Sequence, residues 1–173
     1  QNYVFAGWVP EIPKSGVVKE SAVYHATFEY VPTLEEVQEA KVTEMNTLQQ
    51  SIIASGLDVT LSDGTTEHFT LTGQDQTSLM GLQTQVAAGA ENIPWHTSDE
   101  NEHCKFYSNA DMLLIVTAAM EFVTWHVTYF RDLRIYIRSI EEKVAVAAIQ
   151  YGTDIPEQYQ SAPLKAMLAA QNT

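Results

Sequence analysis

The period of the apolar positions changes along the chain, and each change marks an element. Near the start, Tyr3, Phe5 and Trp8 are followed by Tyr24, Ala26, Phe28 and Tyr30 on one face, with Val23, His25, Thr27 and Glu29 on the other. A period of two predicts strands at Tyr3–Val9 and Val17–Val31, joined by a proline-containing link. From Leu34 the spacing lengthens. Leu34, Val37, Met45, Leu48 and Ile52 make an approximate helical stripe, interrupted by Lys41. Thr33 with Glu36 three residues on predicts a capping box, and Gly56 predicts the stop. The interruption favours a helix packed on its own domain over a coiled-coil seam.

Residues 57–72 return to strict alternation, with Leu57, Val59 and Leu61 before Asp63-Gly64 and Phe69 and Leu71 after it. A two-residue turn would set Val59 opposite His68. A three-residue loop, Ser62-Asp63-Gly64 with Gly64 left-handed, sets Leu57 opposite Phe69 and keeps the apolar side chains on one face. Asp58 and His68 then point the other way, to water. A helix is predicted at 76–88, with Leu79, Leu82 and Val86 on one face. A second hairpin is predicted from Ile93–His96 and Cys104–Tyr107, joined by an acidic loop. Ser108 with Asp111 caps a long helix running to Ser139. Met112, Val116, Ala119, Val123, His126, Phe130, Leu133 and Ile137 follow a 4,3,4,3 spacing along it. Ile115, Phe122, Trp125, Tyr129 and Tyr136 lie off that stripe, so the helix is expected at the centre. Short helices are predicted at 141–151 and 162–170.

These elements predict an α+β fold in three parts: an N-terminal β-hairpin module (1–31), a connecting helix (32–56), and a helical domain (57–173) with two hairpins around one long central helix. Apolar residues make up 45% of the 173, enough for a core. Charge narrows the partners. Twenty-two acidic side chains against nine basic give a net charge of −13, which argues against nucleic acid and anionic membranes. No apolar run is expected to reach the length of a membrane span. Gln1, standing where an initiator Met would be, is expected to be an internal boundary. Cys104 is the single cysteine, so no internal disulfide and no four-cysteine zinc site is possible.

Candidate chemistry is sparse. His96, Asp99, Glu102, His103 and Cys104 are the residue types of a zinc site, but their spacing matches no standard finger, and neither metal nor cofactor is expected. Pairing Cys104 with His103 as nucleophile and base would require both to face one way; neighbours on a strand face opposite ways. The bland alternative is a polar hairpin tip with Cys104 turned into the core. His126, at a core-type position, is expected to be a hydrogen-bonded core histidine rather than a ligand. Arg131, Arg134 and Arg138 form the basic cluster of an acidic chain, either receiving an acidic partner or complementing the helix C-terminus. Trp8 and Trp95 are the other candidate partner residues; exposed beside Tyr107 they would suit a glycan. No catalytic residue is expected.

Two stretches resemble known families. "YVFAGWVPEIPKSGVVKESAVYHATFEY" resembles the second half of a Listeria–Bacteroides repeat, the β-rich repeat of internalin-type surface proteins, through Gly7-Trp8, Pro10, Ala22-Val23-Tyr24 and Ala26-Thr27-Phe28. "LDVTLSDGTTEHFTLTGQDQTSL", "IPWH", "CKFYSNADM", "TYF" and "IQYGTDIPEQY", in that order over residues 57–160, resemble a domain of unknown function common in tailed-phage genomes, among tail-fibre and baseplate genes. The second resemblance implies a virion protein: a non-enzymatic structural component of the tail, acting in assembly or host attachment, with other tail proteins as partners and a host surface receptor as a further one. It also implies an oligomer, with a trimer favoured. The stripe residues Met112, Val116, Val123, Phe130, Leu133 and Ile137 are the candidate seam. The first resemblance carries the alternative, a cell-surface or secreted adhesion module binding glycan or protein. A small enzyme or an inhibitor of host defence is the third class.

Overall fold

The computed structural model describes residues 2–12, 21 and 23–171. In chain order the elements are strands β1 (Tyr3–Val9) and β2 (His25–Tyr30), helix α1 (Leu34–Ser55), strands β3 (Leu57–Thr60) and β4 (Thr66–Phe69), helix α2 (Gly73–Ala87), strands β5 (Ile93–Trp95) and β6 (Lys105–Tyr107), and helices α3 (Asn109–Ser139), α4 (Lys143–Ala148) and α5 (Ala162–Gln171), with a 3-10 turn at Glu157–Tyr159 before the last. The fold is α+β, with one long central helix and each strand pair forming its own two-stranded antiparallel sheet. The early part of the second predicted strand, residues 17–20 and 22, lies outside the described residues.

Capping residues set the helix starts. The Thr33 hydroxyl accepts from the Glu36 N–H while Glu36 accepts from the Thr33 N–H, so two orphan donors of α1 are satisfied reciprocally. Thr72 and Asp75 repeat this at α2, which therefore begins three residues before the predicted Gln76. Ser108 caps α3. Helix α4 is shorter than the predicted 141–151.

Two cores are strung along α3. Its first half buries Met112, Ile115, Val116 and Ala119 against α2 and the hairpins, through Phe69, Leu71, Leu79 and Ile93. Its second half buries Tyr129, Phe130, Leu133 and Ile137 against α1, α4 and α5, through Met45, Val146 and Leu164. Helix α1 lies along α3 and contributes to both, with Val42 and Met45 in one and Ile53 in the other. At the far end Gln38 donates to the Arg138 and Ile140 carbonyls, and Arg138 donates to both Glu39 oxygens at 2.6 and 2.9 Å. Glu39, one of the acidic residues of α1, is thus engaged within the chain.

The stripe offered above as an intersubunit seam is covered by this chain itself. Met112, Val116, Phe130, Leu133 and Ile137 are buried, and Val123 packs on the first core. The off-stripe residues are accounted for in the same way, since Ile115 and Tyr129 are buried and Trp125 and Tyr136 pack on the second core. The expectation about membrane-length runs is also corrected. By length and composition α3 is apolar enough to cross a membrane, a test that core helices pass as well.

The first hairpin has the expected odd loop. Leu57 pairs with Phe69, and the Leu61 N–H donates to the Thr65 carbonyl across Ser62-Asp63-Gly64, with Gly64 at φ +88°. Asp58 and His68 face away from the core but bond to each other, Nδ1 to Oδ1 at 2.7 Å, rather than only to water. The second hairpin packs beside the first. Phe69 meets Tyr107 edge to face, and Glu67 accepts from the Tyr107 hydroxyl and from Lys105.

At the N-terminus β1 and β2 build an exposed aromatic face. Tyr3 pairs with Tyr30 and Phe5 with Phe28; a bulge between Phe5 and Gly7 then shifts the register, so Trp8 pairs with Ala26. The extra residue, Ala6, resets the alternation and brings Trp8 to the face that carries Tyr3, Phe5, Phe28 and Tyr30. All five rings are exposed, and they meet one another edge to face.

Two glycines test this architecture. Gly64 needs its left-handed φ but has open space around it, so Gly64→Val should cost about 1–2 kcal/mol of backbone strain. Gly56, at φ +87°, abuts the neighbouring strand, where an added Cβ would lie 1.8 Å from the Phe69 carbonyl oxygen. Gly56→Ala should therefore destabilise more than Gly64→Val in urea unfolding. Equal midpoints for the two variants would refute the close approach of α1's end to β4.

Candidate functional site

At the margin of the second core α3 has a waist, where its partners leave Trp125 and His126 half-buried. Trp125, His126 and Tyr129 occupy that stretch. Ile52 of α1 faces them, the loop Tyr151–Ile155 after α4 crosses in front, and Leu164 and Leu168 of α5 close the far side. The result is a cavity of about 430 Å³, within the range of small-molecule sites.

Its walls are aromatic and firmly held. Spacing of i, i+4 places Trp125 and Tyr129 on one flank of α3, with rings 20° from parallel and centroids 6.2 Å apart. Tyr151 stands against Tyr129 at 72°, with centroids 5.2 Å apart, so two walls meet near a right angle. The Tyr129 hydroxyl donates to the Thr153 carbonyl and accepts from the Gly152 N–H. The Tyr151 hydroxyl lies 3.0 Å from His126 Nδ1. Burial pushes the Tyr129 hydroxyl up to about 12; the Gly152 N–H opposes this and the Asp154 charge adds to it. Burial raises Tyr151 as well and lowers His126, so both phenols and the imidazole are neutral near pH 7.

The residues singled out from the sequence are scattered. Trp8 stands on the exposed aromatic face, but Trp95 is only 7% exposed, stacked on His96 inside the first core, and so is corrected from partner surface to core. Tyr107 is buried too, so no groove joins the three. Cys104 is exposed rather than turned inward. His96 Nε2 lies 3.5 Å from Asp75, and Glu102 pairs with Lys105. His96, Cys104 and His126 are not brought together. Of the arginines, Arg138 is clasped by Glu39 and Arg134 is half-buried, its Nε without a hydrogen-bond partner among the described residues; Arg131 is exposed. No compact basic patch results. His126 is hydrogen-bonded as expected, but it is half-buried in the cavity wall rather than in a core.

The cavity itself was missed. Its signal was dispersed over Trp125, Tyr129 and Tyr151, three aromatic residues that no local pattern joins.

His126 supports a pH prediction. Its folded pKa is lowered by burial, while the unfolded imidazole titrates near 6.5. Below about 6.5 the unfolded chain binds protons that the folded chain does not, so stability is lost as pH falls through that window. His68 works in the opposite sense, raised by its bond to the Ser55 carbonyl and then by Asp58, so its contribution is present below about 6.5 and lost as pH rises. The advantage in melting temperature of the wild type over His126→Gln should therefore shrink between about pH 7.5 and about pH 5.5. A gap constant with pH would show an imidazole equally charged in both states.

No curated protein and no solved structure matches this chain. The family model described as "Domain of unknown function (DUF4376)" does match, over residues 36–153, from the first turn of α1 to the loop that crosses the cavity, and the chain belongs to that family.

Proposed function

We propose that the protein is a non-enzymatic structural component of a bacteriophage tail, associated with the tail fibre or baseplate and acting in assembly or host attachment. The observation that carries this reading is the uncovered aromatic face of β1 and β2. Three edge-to-face contacts contribute about 0.5–1.5 kcal/mol each. Ordering the backbone of the two strands costs about 1–2 kcal/mol per residue, and an isolated two-stranded hairpin is marginal in water. A face of five rings beside the domain is therefore suited to being covered by another chain. Other tail proteins are the partners the sequence resemblance favours, and a trimer is the favoured symmetry. With the α3 stripe occupied internally, the hairpin takes the place of that stripe as the contact surface. The likeness of residues 3–30 to a surface-protein repeat supports a second reading, a secreted or cell-surface adhesion module using the same rings.

Quantitative mass spectrometry of purified virions separates the two. A fixed copy number, in multiples of three for the favoured symmetry, is expected for a tail component, and absence from virions would sink the tail assignment. Paired changes Phe5→Ser and Phe28→Ser should abolish assembly in light scattering while leaving helical content and the melting of the helical domain nearly unchanged, because the hairpin shares little packing with it. Undiminished assembly by the serine variant would remove the hairpin from the interface.

A further inference from the structure

We propose that the cavity at the waist of α3 binds a small organic cation, an alkylated ammonium on a short apolar body. The lining contains no lysine and no arginine, and its one carboxylate is Asp154. Asp154 is exposed at the rim and makes no hydrogen bond or ion pair among the described residues. Its charge is felt inside, since it acts on the Tyr129 hydroxyl. An anion would meet this carboxylate with nothing to offset it.

Most other polar groups of the lining are already engaged, and His126, bonded through Nδ1, keeps only Nε2 for a ligand. Both tyrosine hydroxyls are bonded within the chain, Gln160 donates to the Ile155 carbonyl, and the Thr153 hydroxyl accepts from the Gln150 N–H. A sugar, which needs several side chains free to bond its hydroxyls, finds few here. What the walls offer is the surface of Trp125, Tyr129 and Tyr151, set at two angles, with aliphatic groups from Ile52, Leu164 and Leu168. Aromatic rings attract cations through their negative faces, and alkylated ammonium groups are the cations least penalised by leaving water. An apolar body against the aliphatic side and an ammonium between rings and Asp154 match each wall. This inference is independent of the tail reading, because it rests on the cavity alone.

The test uses the full chain at fixed ionic strength, about 150 mM salt, so that the general attraction of a −13 protein for cations is screened. Choline and phenyltrimethylammonium are titrated by calorimetry and Trp fluorescence, beside 3,3-dimethylbutanol, the neutral isostere of choline. The cations should bind saturably below about 50 mM, and the isostere about tenfold more weakly. Asp154→Asn, at an exposed position, should keep the wild-type melting temperature and weaken the cations severalfold without affecting the isostere. Trp125→Leu should weaken the cations about tenfold, which diffuse attraction to net charge would not do. No saturation in that range, equal binding of isostere and cation, or cation binding unchanged in Asp154→Asn would each overturn the proposal.

Discussion

One helix has to be buried by two unlike sets of partners, and the rest of the structure follows from that. Helix α3 is apolar along most of its 31 residues, too long for a single small core to cover. Its first half meets two hairpins and α2, and its second half meets the helices α1, α4 and α5. Helix α1 joins the two because it is long enough to lie beside both. Gln38 and Glu39 fasten its first turns to the last turn of α3, while Gly56 lets its end approach β4 with no side chain between them. The waist lies at the margin of the second core, where α1, α5 and the loop after α4 leave a cavity against the rings of Trp125, Tyr129 and Tyr151.

Much of this is legible in the sequence. Capping follows from short-range chemistry, so Thr33 with Glu36 and Ser108 with Asp111 marked their helix starts correctly. The register of β3 and β4 followed from parity, since only an odd loop keeps Leu57 and Phe69 together. The long stripe correctly indicated a helix apolar on one side. It was silent on what covers that side, because a heptad packed on a sister helix and one packed on its own hairpins have the same spacing. The assignment of the stripe to a subunit seam failed on that ambiguity.

The illegible parts share a cause as well. Trp95 looks like a surface tryptophan beside an acidic loop, and only the meeting of the two hairpins puts it inside. The cavity draws on α1, α3, the loop after α4 and α5, elements whose distance in sequence exceeds any periodic signal. Arg138 pairs with Glu39, 99 residues away in sequence, which tertiary packing places in front of its guanidinium with bidentate geometry.

The bulge at Ala6 has a consequence for how such a chain can change. Strand alternation is a reading frame of two, and one inserted residue shifts everything beyond it by half a period. With Ala6 present, Trp8 joins the rings of Tyr3 and Phe5; without it, Trp8 would turn to the opposite face with Val4. Because β1 and β2 stand apart from both cores, such a shift leaves the packing of α3 untouched. A single-codon insertion or deletion in this segment is therefore a step by which a lineage can redraw its outward aromatic pattern while inheriting its interior intact.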